Sequence, residues 1–464
     1  TLLALPLAAQ PGPHLPNADP RHPLGTQREW ATAQQEWLRL RLERTLPVLM
    51  RRDSVDMWIV PMREYNEDPV FSSIVSPTTF AARRRTIYVF FDRGADKGIE
   101  RLALGGTSQG GLYTAVRSQI AATNVSTGST TAELWGSAQW DVLTKVIHDR
   151  KPKRIAINVD TTFAFADGLT LGEYTGMLSR GVLKPDGDWK ASIVPAGRLA
   201  VDLIAMRQPE EEATFNRMNR LTWDIIAEAF SSRVITPGVT RTSDVVWWMR
   251  QRVADHGMTT WFQPSVDVQR RGATDAQLGE DPVIQKGDVL HCDFGITAMR
   301  LNTDTQHMGY VLRDGETEVP AGLRAALATT NRLQDIVFSE IKPSRTGNEV
   351  LQASRQRMTA GGITGTIYSH PIGMHGHGAG PLIGLWDYQE GVPGRGDHAM
   401  QPGTWYSIEL QASSKVPEWQ DQVVRVGQEE DVILDAGGTV RWGYQRQSQF
   451  HLVRAAAAPR RATP

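Results

Sequence analysis

Asp293 and Asp304 stand eleven positions apart in GDVLHCDFGITAMRLNTDTQHMGYVL, each in a strand-like run. Leu290, Cys292, Phe294 and Ile296 alternate with His291, Asp293, Gly295 and Thr297, and the second run ends in Tyr310-Val311-Leu312. The stretch from Ala298 to Thr303 suits a turn, so two antiparallel strands would bring both carboxylates together. Neighbouring carboxylates repel unless a proton or a cation lies between them. Three further segments offer partners. SHPIGMHGHGAGPLIGLWD holds His370, His375 and His377 among glycines, which let a backbone approach a ligand closely. In PGTWYSIELQ, Glu409 points away from its apolar neighbours Ile408 and Leu410. In VVRVGQEEDVIL, Glu429 is expected to open a strand after a bend at Gly427. Carboxylates with one imidazole suit Mn²⁺, Co²⁺, Fe²⁺ or Zn²⁺ better than a thiolate-selective site would. Five ligands exceed what one tetrahedral ion needs, which suggests two ions bridged by carboxylates.

The flanking glycines favour His377 as the histidine ligand, with His370 or His375 taking its place if the loop enters the site differently. A slip of one residue would substitute Glu430 for Glu429; otherwise Glu430 and Asp431 read as solvated neighbours. Trp261 and Trp386 read as packing residues, and His256 and His451 as structural ones.

The elements that must position these groups fall into two sets. Residues 27–52 carry helical spacing at Trp30, Trp37, Leu38 and Leu42. Strand-like pieces follow at 57–61, 86–91, 101–105 and 154–158, with helices expected over 131–149 and 171–181. That alternation predicts an α/β domain ending near 200. Beyond it, Pro209 and Glu210 to Glu212 make a good helix start, and Met218, Leu221, Ile225, Ile226 and Phe230 form its apolar stripe. Further helices fit Thr242 to His256, 321–341 and 346–360. The strands that carry the acids, 288–297, 304–312, 404–411, 421–426 and 429–434, are interleaved with them. Helices over one antiparallel sheet make an α+β arrangement. The expected organisation is a lead-in over 1–26, an N-terminal domain over 27–200, a catalytic domain over 201–455 and a tail over 456–464.

Composition narrows the function classes. The 464 residues allow two or three domains, and 40% hydrophobic with 22% charged residues is ordinary for a globular enzyme. A net charge of −1 gives no electrostatic case for nucleic acid or an anionic membrane surface. The single cysteine, Cys292, excludes an intrachain disulfide and reads as a small buried hydrophobe. TLLALPLAAQPGP reads as the end of an export signal with small residues near Ala8-Ala9-Gln10, which predicts a periplasmic or secreted protein. No other apolar stretch is long enough to span a membrane.

The order of motifs, Asp-x10-Asp, GHG, a strand Glu after PGxxxS and then EED, resembles the pita-bread metallopeptidases. That group includes methionine aminopeptidase, aminopeptidase P (Xaa-Pro aminopeptidase) and prolidase. The resemblance covers residues 205–455, and the N-terminal half is similar in architecture to the extra creatinase-like domain of the aminopeptidase P and prolidase branch. It implies an α+β fold with a C-terminal pita-bread catalytic domain and an N-terminal α/β creatinase-like domain. It implies two divalent ions (Mn, Co or Zn), with Asp293 chelating, Asp304 and Glu429 bridging, His377 as the histidine ligand, and Glu409 both ligand and proton shuttle. It further implies cleavage of the N-terminal residue from short peptides of Xaa-Pro type by a metal-bound hydroxide, and a homodimer. The branch also carries a histidine seventeen positions before the first Asp, which from Asp293 falls on Ala276, and another seven after the metal His, which from His377 falls on Gly384. His307, His370, His375 or His398 are the expected substitutes, with His370 and His375 the leading catalytic candidates. Hydrolysis of a non-peptide amide, a metal-free creatinase-like reaction and a binding protein without catalysis remain as alternatives on the same scaffold.

Overall fold

The computed structural model describes residues 21–117, 137–183 and 191–454. The expected export segment, the tail over 456–464 and the first residues of the helix expected over 131–149 lie outside them. Two sheets organise the chain. The first has six strands in the order Thr114–Val116, Ile99–Leu104, Arg85–Asp92, Met57–Arg63, Arg154–Ile157 and Ser192–Pro195. Met57–Arg63 pairs antiparallel with Arg85–Asp92 and parallel with Arg154–Ile157, so the sheet is mixed. Its two faces are covered by separate apolar clusters, one around Trp58, Tyr88 and Phe90 and the other around Ile59, Val89, Trp140 and Leu143.

The second sheet has nine strands and is almost wholly antiparallel. Its main path runs Thr364–Ile367, Thr404–Val416, Gln422–Leu434, Thr305–Val311, Val289–Phe294 and Ser265–Gln269. Helices Pro209–Ala229, Thr242–Asp255, Ala321–Glu340 and Gly347–Ala360 supply apolar side chains to one of its faces. Strand alternation explains the result. Leu290, Cys292 and Phe294 join the core with Phe215, Ile226 and Met249, and Ile408 and Leu410 join that with Leu333, Val337 and Leu351. Asp293 and Glu409 therefore face the other way.

Gly427 does not bend the chain. Gln422–Leu434 is one continuous strand, paired with Thr404–Val416 through thirteen successive positions, where the sequence predicted two strands. The turn between the two aspartates is a small hairpin of Thr297–Ala298 with Leu301–Asn302. Met299 and Arg300 occupy its left-handed positions at φ 53° and 58°, a conformation that costs a side-chain-bearing residue energy. Arg300 recovers interactions there: its guanidinium donates to the carbonyls of Ser72, Val75 and Ser76 in the N-terminal domain.

The first helix runs from Gln27 to Arg52 with a π-turn at Arg41–Thr45. Two residues of that turn reach the start of the catalytic half. Arg41 pairs with Glu211 at 2.6 Å, and Thr45 accepts from Gln208 at 2.8 Å. Arg207 lies 3.6 Å from the same Glu211, so one buried carboxylate serves two buried guanidinium groups. Removing it strands both charges. Glu211→Ala is expected to lose about 3–5 kcal/mol in urea unfolding. Arg44→Ala, which breaks the exposed Arg44–Glu210 pair, should lose less than about 1 kcal/mol.

Candidate metal centre

Four strands present one row of side chains across the sheet. Asp293 stands opposite Gln306, Gln306 opposite Glu429, and Glu429 opposite Glu409. Asp304 precedes its strand by one residue, and His370 enters from the short strand His370–Ile372, opposite Ser407. The register thus gathers groups drawn from positions 293 to 429. Asp304, His370 and Glu429 each offer an atom within 4.8 Å of the others. His370 Nε2 lies 3.2 Å from Glu429 Oε1, 3.5 Å from Asp304 Oδ2 and 3.7 Å from Glu409 Oε2.

Burial and mutual repulsion set the electrostatics of these acids. Burial, and then the charge of Glu429, pushes the Asp293 carboxyl up to about 7. The same two causes hold Asp304 and Glu409 well above the usual carboxylate range. Burial opposes a charged His370, but its interactions with Asp304 and Glu429 prevail and raise its pKa well above the ordinary histidine value. Asp293 Oδ1, His370 Nε2 and Glu429 Oε1 are buried without a hydrogen-bond partner. Buried polar atoms are ordinarily paired, so the two orphans His370 Nε2 and Glu429 Oε1, 3.2 Å apart and in one row with Asp293, fit a divalent ion held by oxygen and nitrogen donors.

His377, the expected ligand, is not in this group. It is exposed, with its ring 4.8 Å from that of His370 and edge-on to Trp261. Trp261 is wedged close to the loop: a Cβ on Gly376 would come within 2.2 Å of its indole. Of the other expected helpers, His375 packs on Phe165 of the N-terminal domain, and His398 pairs with buried Asp202 at 2.8 Å. His307 is fully buried on the helix side of the sheet, 2.9 Å from Glu430 and 3.0 Å from His451. Burial lowers the pKa of both His307 and His451 to about 3. Glu430 and Asp431 are buried too, not solvated. Glu430 accepts from Trp223 Nε1 at 3.1 Å and from the Gln447 amide at 2.9 Å, and Asp431 accepts from the Asp304 amide at 3.3 Å.

A consistency test in the sequence could have selected His370. Counted from His370, the position seven residues on is His377, where the resemblance expects a second histidine. Ala276 still occupies the place of the other. Gln306 and His291 went unnoticed, although Gln306 follows Asp304 by two and so shares its strand face. Both line a cleft of about 330 Å³ beside the acids, with Tyr368, Gln411 and Asp267.

Residues 214–443, which include all the acids and histidines of this centre, match Metallopeptidase family M24. The chain belongs to metallopeptidase family M24. In fold, it is similar along most of its length to the X-Pro aminopeptidase of Thermotoga maritima, at 16% identity and a TM-score of 0.59 over 88% of this chain and 100% of that one. The Xaa-Pro dipeptidase of Bacillus anthracis is similar at 16% identity and a TM-score of 0.54, over 91% and 99%. The N-terminal domain of FACT complex subunit SPT16 from chickpea is similar at 11% identity and a TM-score of 0.55, over 92% and 99%. A search of curated proteins gives no significant match. The M24 domain is the pita-bread unit, and the six-stranded sheet forms the N-terminal domain beside it. Among the described residues no helix is long and apolar enough to cross a membrane.

Proposed function

We propose that this M24 metallopeptidase removes the N-terminal residue of short peptides, with Xaa-Pro as the preferred bond. The observation that carries the reading is the Asp304–His370–Glu429 cluster with its unpaired atoms, flanked by Asp293 and Glu409 and followed at seven residues by His377. Asp304, His370, Glu409 and Glu429 would hold one divalent ion, and Asp293, with Asp304 and Glu429 shared, a second. An ion bound there supplies Lewis-acid polarisation of the scissile carbonyl and acidifies water. The protein supplies the rest. Glu409, whose Oε2 lies 3.7 Å from His370 Nε2, takes a proton and passes it to the leaving amine. The exposed His377 ring, 4.8 Å from that of His370, can donate to a substrate carbonyl oxygen.

The expected result is hydrolysis of Xaa-Pro dipeptides and tripeptides that is lost on chelation and restored by Mn²⁺, Co²⁺ or Zn²⁺. Turnover of simple amides in preference to any peptide on the same panel would move the assignment to the non-peptide alternative. Full activity in the stripped chain would move it to the metal-free one. Export and a homodimer belong to the same reading and rest on the apolar N-terminal run and the family resemblance; sedimentation of the purified chain tests the second.

A further inference from the structure

We propose that the junction between the two domains holds one buried monovalent anion of chloride size, gripped by Arg207, Arg41 and Arg300. A cavity of about 20 Å³ lies there, and among the described residues that line it three are arginines and one, Glu211, is a carboxylate. The arginines come from separate parts of the chain. Arg41 opens the π-turn of the first helix, and Arg207 lies between helices Arg198–Ala205 and Pro209–Ala229. Arg300 stands at the tip of the hairpin between the two aspartates. Carbonyl oxygens take most of their donors. Arg300 donates to Ser72, Val75 and Ser76, Arg207 to Ala205 and Ile204, and Arg41 to Ser73 at 3.4 Å. A carbonyl satisfies an N–H but brings no net charge. Three positive charges therefore meet one negative charge. Glu211 Oε1 is engaged by Arg41 at 2.6 Å and stands 3.6 Å from Arg207 Nη1, beyond a hydrogen bond.

Two guanidinium nitrogens are left over. Arg207 Nη1 and Arg41 Nε have no hydrogen-bond partner, and their side chains are 1% and 4% exposed. Burial, partly offset by Glu211, lowers Arg207 to about 10, and burial with the charge of Arg41 lowers Arg300 to about 10. Both stay cationic at neutral pH. Unbalanced buried charge is costly, and so are buried donors without acceptors. One small anion answers both. The cavity has room for a single water-sized centre, so a tetrahedral oxyanion is too large. A water would fill the space but leave the excess charge. Chloride brings the charge, and guanidinium, which is weakly hydrated, gives up little solvation to meet it. Trp37, Met299 and Met374 complete the walls and keep screening low. The site also reaches the histidine segment, because a Cβ on Gly373 would meet Arg207 Cδ at 3.4 Å. An anion there ties the first helix, the hairpin and the start of that segment into one unit.

The test reads stability and ion position, so its outcome is independent of the peptidase reading. The full chain is melted in sodium chloride and in sodium gluconate at equal ionic strength, which equalises screening. Chloride, or bromide in its place, is expected to raise Tm by roughly a few degrees over gluconate. Anomalous diffraction from crystals grown in bromide should place one ion beside Arg207 Nη1. Arg207→Met removes a ligand and one excess charge, and should melt at the same temperature in both salts. If that variant does not fold, Arg300→Gln should shrink the chloride increment. Equal melting of wild type in chloride and gluconate, no bromide in the cavity, or an undiminished increment in a folded variant overturns the proposal.

Discussion

Changing His370 to alanine is expected to abolish activity and to weaken the first divalent ion by at least about a hundredfold, beyond the ten- to hundredfold typical of residues that only support ligands. His377→Ala should keep the ion and lose turnover by about 10²–10³, the usual effect of removing one donor to a developing oxyanion. Calorimetric titration and kcat/KM on one Xaa-Pro peptide, measured for both variants, separate the roles. The contrast follows from geometry. His370 Nε2 is buried, unpaired and within 3.7 Å of three carboxylates, whereas His377 is exposed at the edge of Trp261. Loss of the ion in the His377 variant alone would restore the other assignment. Ion binding should also release a proton, because His370 is held charged in the ion-free chain and must be neutral to act as a ligand.

Asp293→Asn should stabilise the ion-free protein above pH 7 while it impairs catalysis. The folded pKa of Asp293 is raised to about 7 from the ordinary carboxyl value of 3.8. A raised carboxyl favours the protonated folded state, so its cost is absent at acid pH, grows as pH rises from about 4 and is complete above about 7. Asparagine removes the charge and that cost, a gain of the order of a few kcal/mol at pH 8 that vanishes near pH 4. A cation relieves the same repulsion in wild type. The rise in Tm on adding Mn²⁺ should therefore be largest above pH 7 and shrink as pH falls through 7. Thermal melts of both chains at pH 5 and pH 8, with chelator and with Mn²⁺, check the sign. An asparagine variant less stable than wild type at pH 8 with chelator present would contradict it.

Much of the scaffold was legible because alternation and helical spacing are local. Leu290, Cys292 and Phe294 predicted their own burial and hence the outward face of Asp293, and Ile408 and Leu410 did the same for Glu409. Pro209 with three glutamates marked the start of a helix that runs from that residue. The continuous strand through Gly427 was not legible, because the reason for a glycine there is not a bend. It is the close approach of His291 and Gln306, which come from two other strands. Nor could the sequence reveal that Glu430 is buried, since its partners Trp223, His307 and Gln447 are distant along the chain.

The sequence by itself determined the acids, their strand faces, the order of the motifs and therefore the family. Only the tertiary structure decided which histidine joins them. His370, His375 and His377 share one short glycine-rich segment, and their spacing leaves all three available. The pairing of the His370 strand with the Glu409 strand brings one imidazole onto the row of carboxylates and leaves the other two outside the cluster. The same row put Gln306 between Asp293 and Glu429, a contact set by the alignment of three strands and so absent from any one of them.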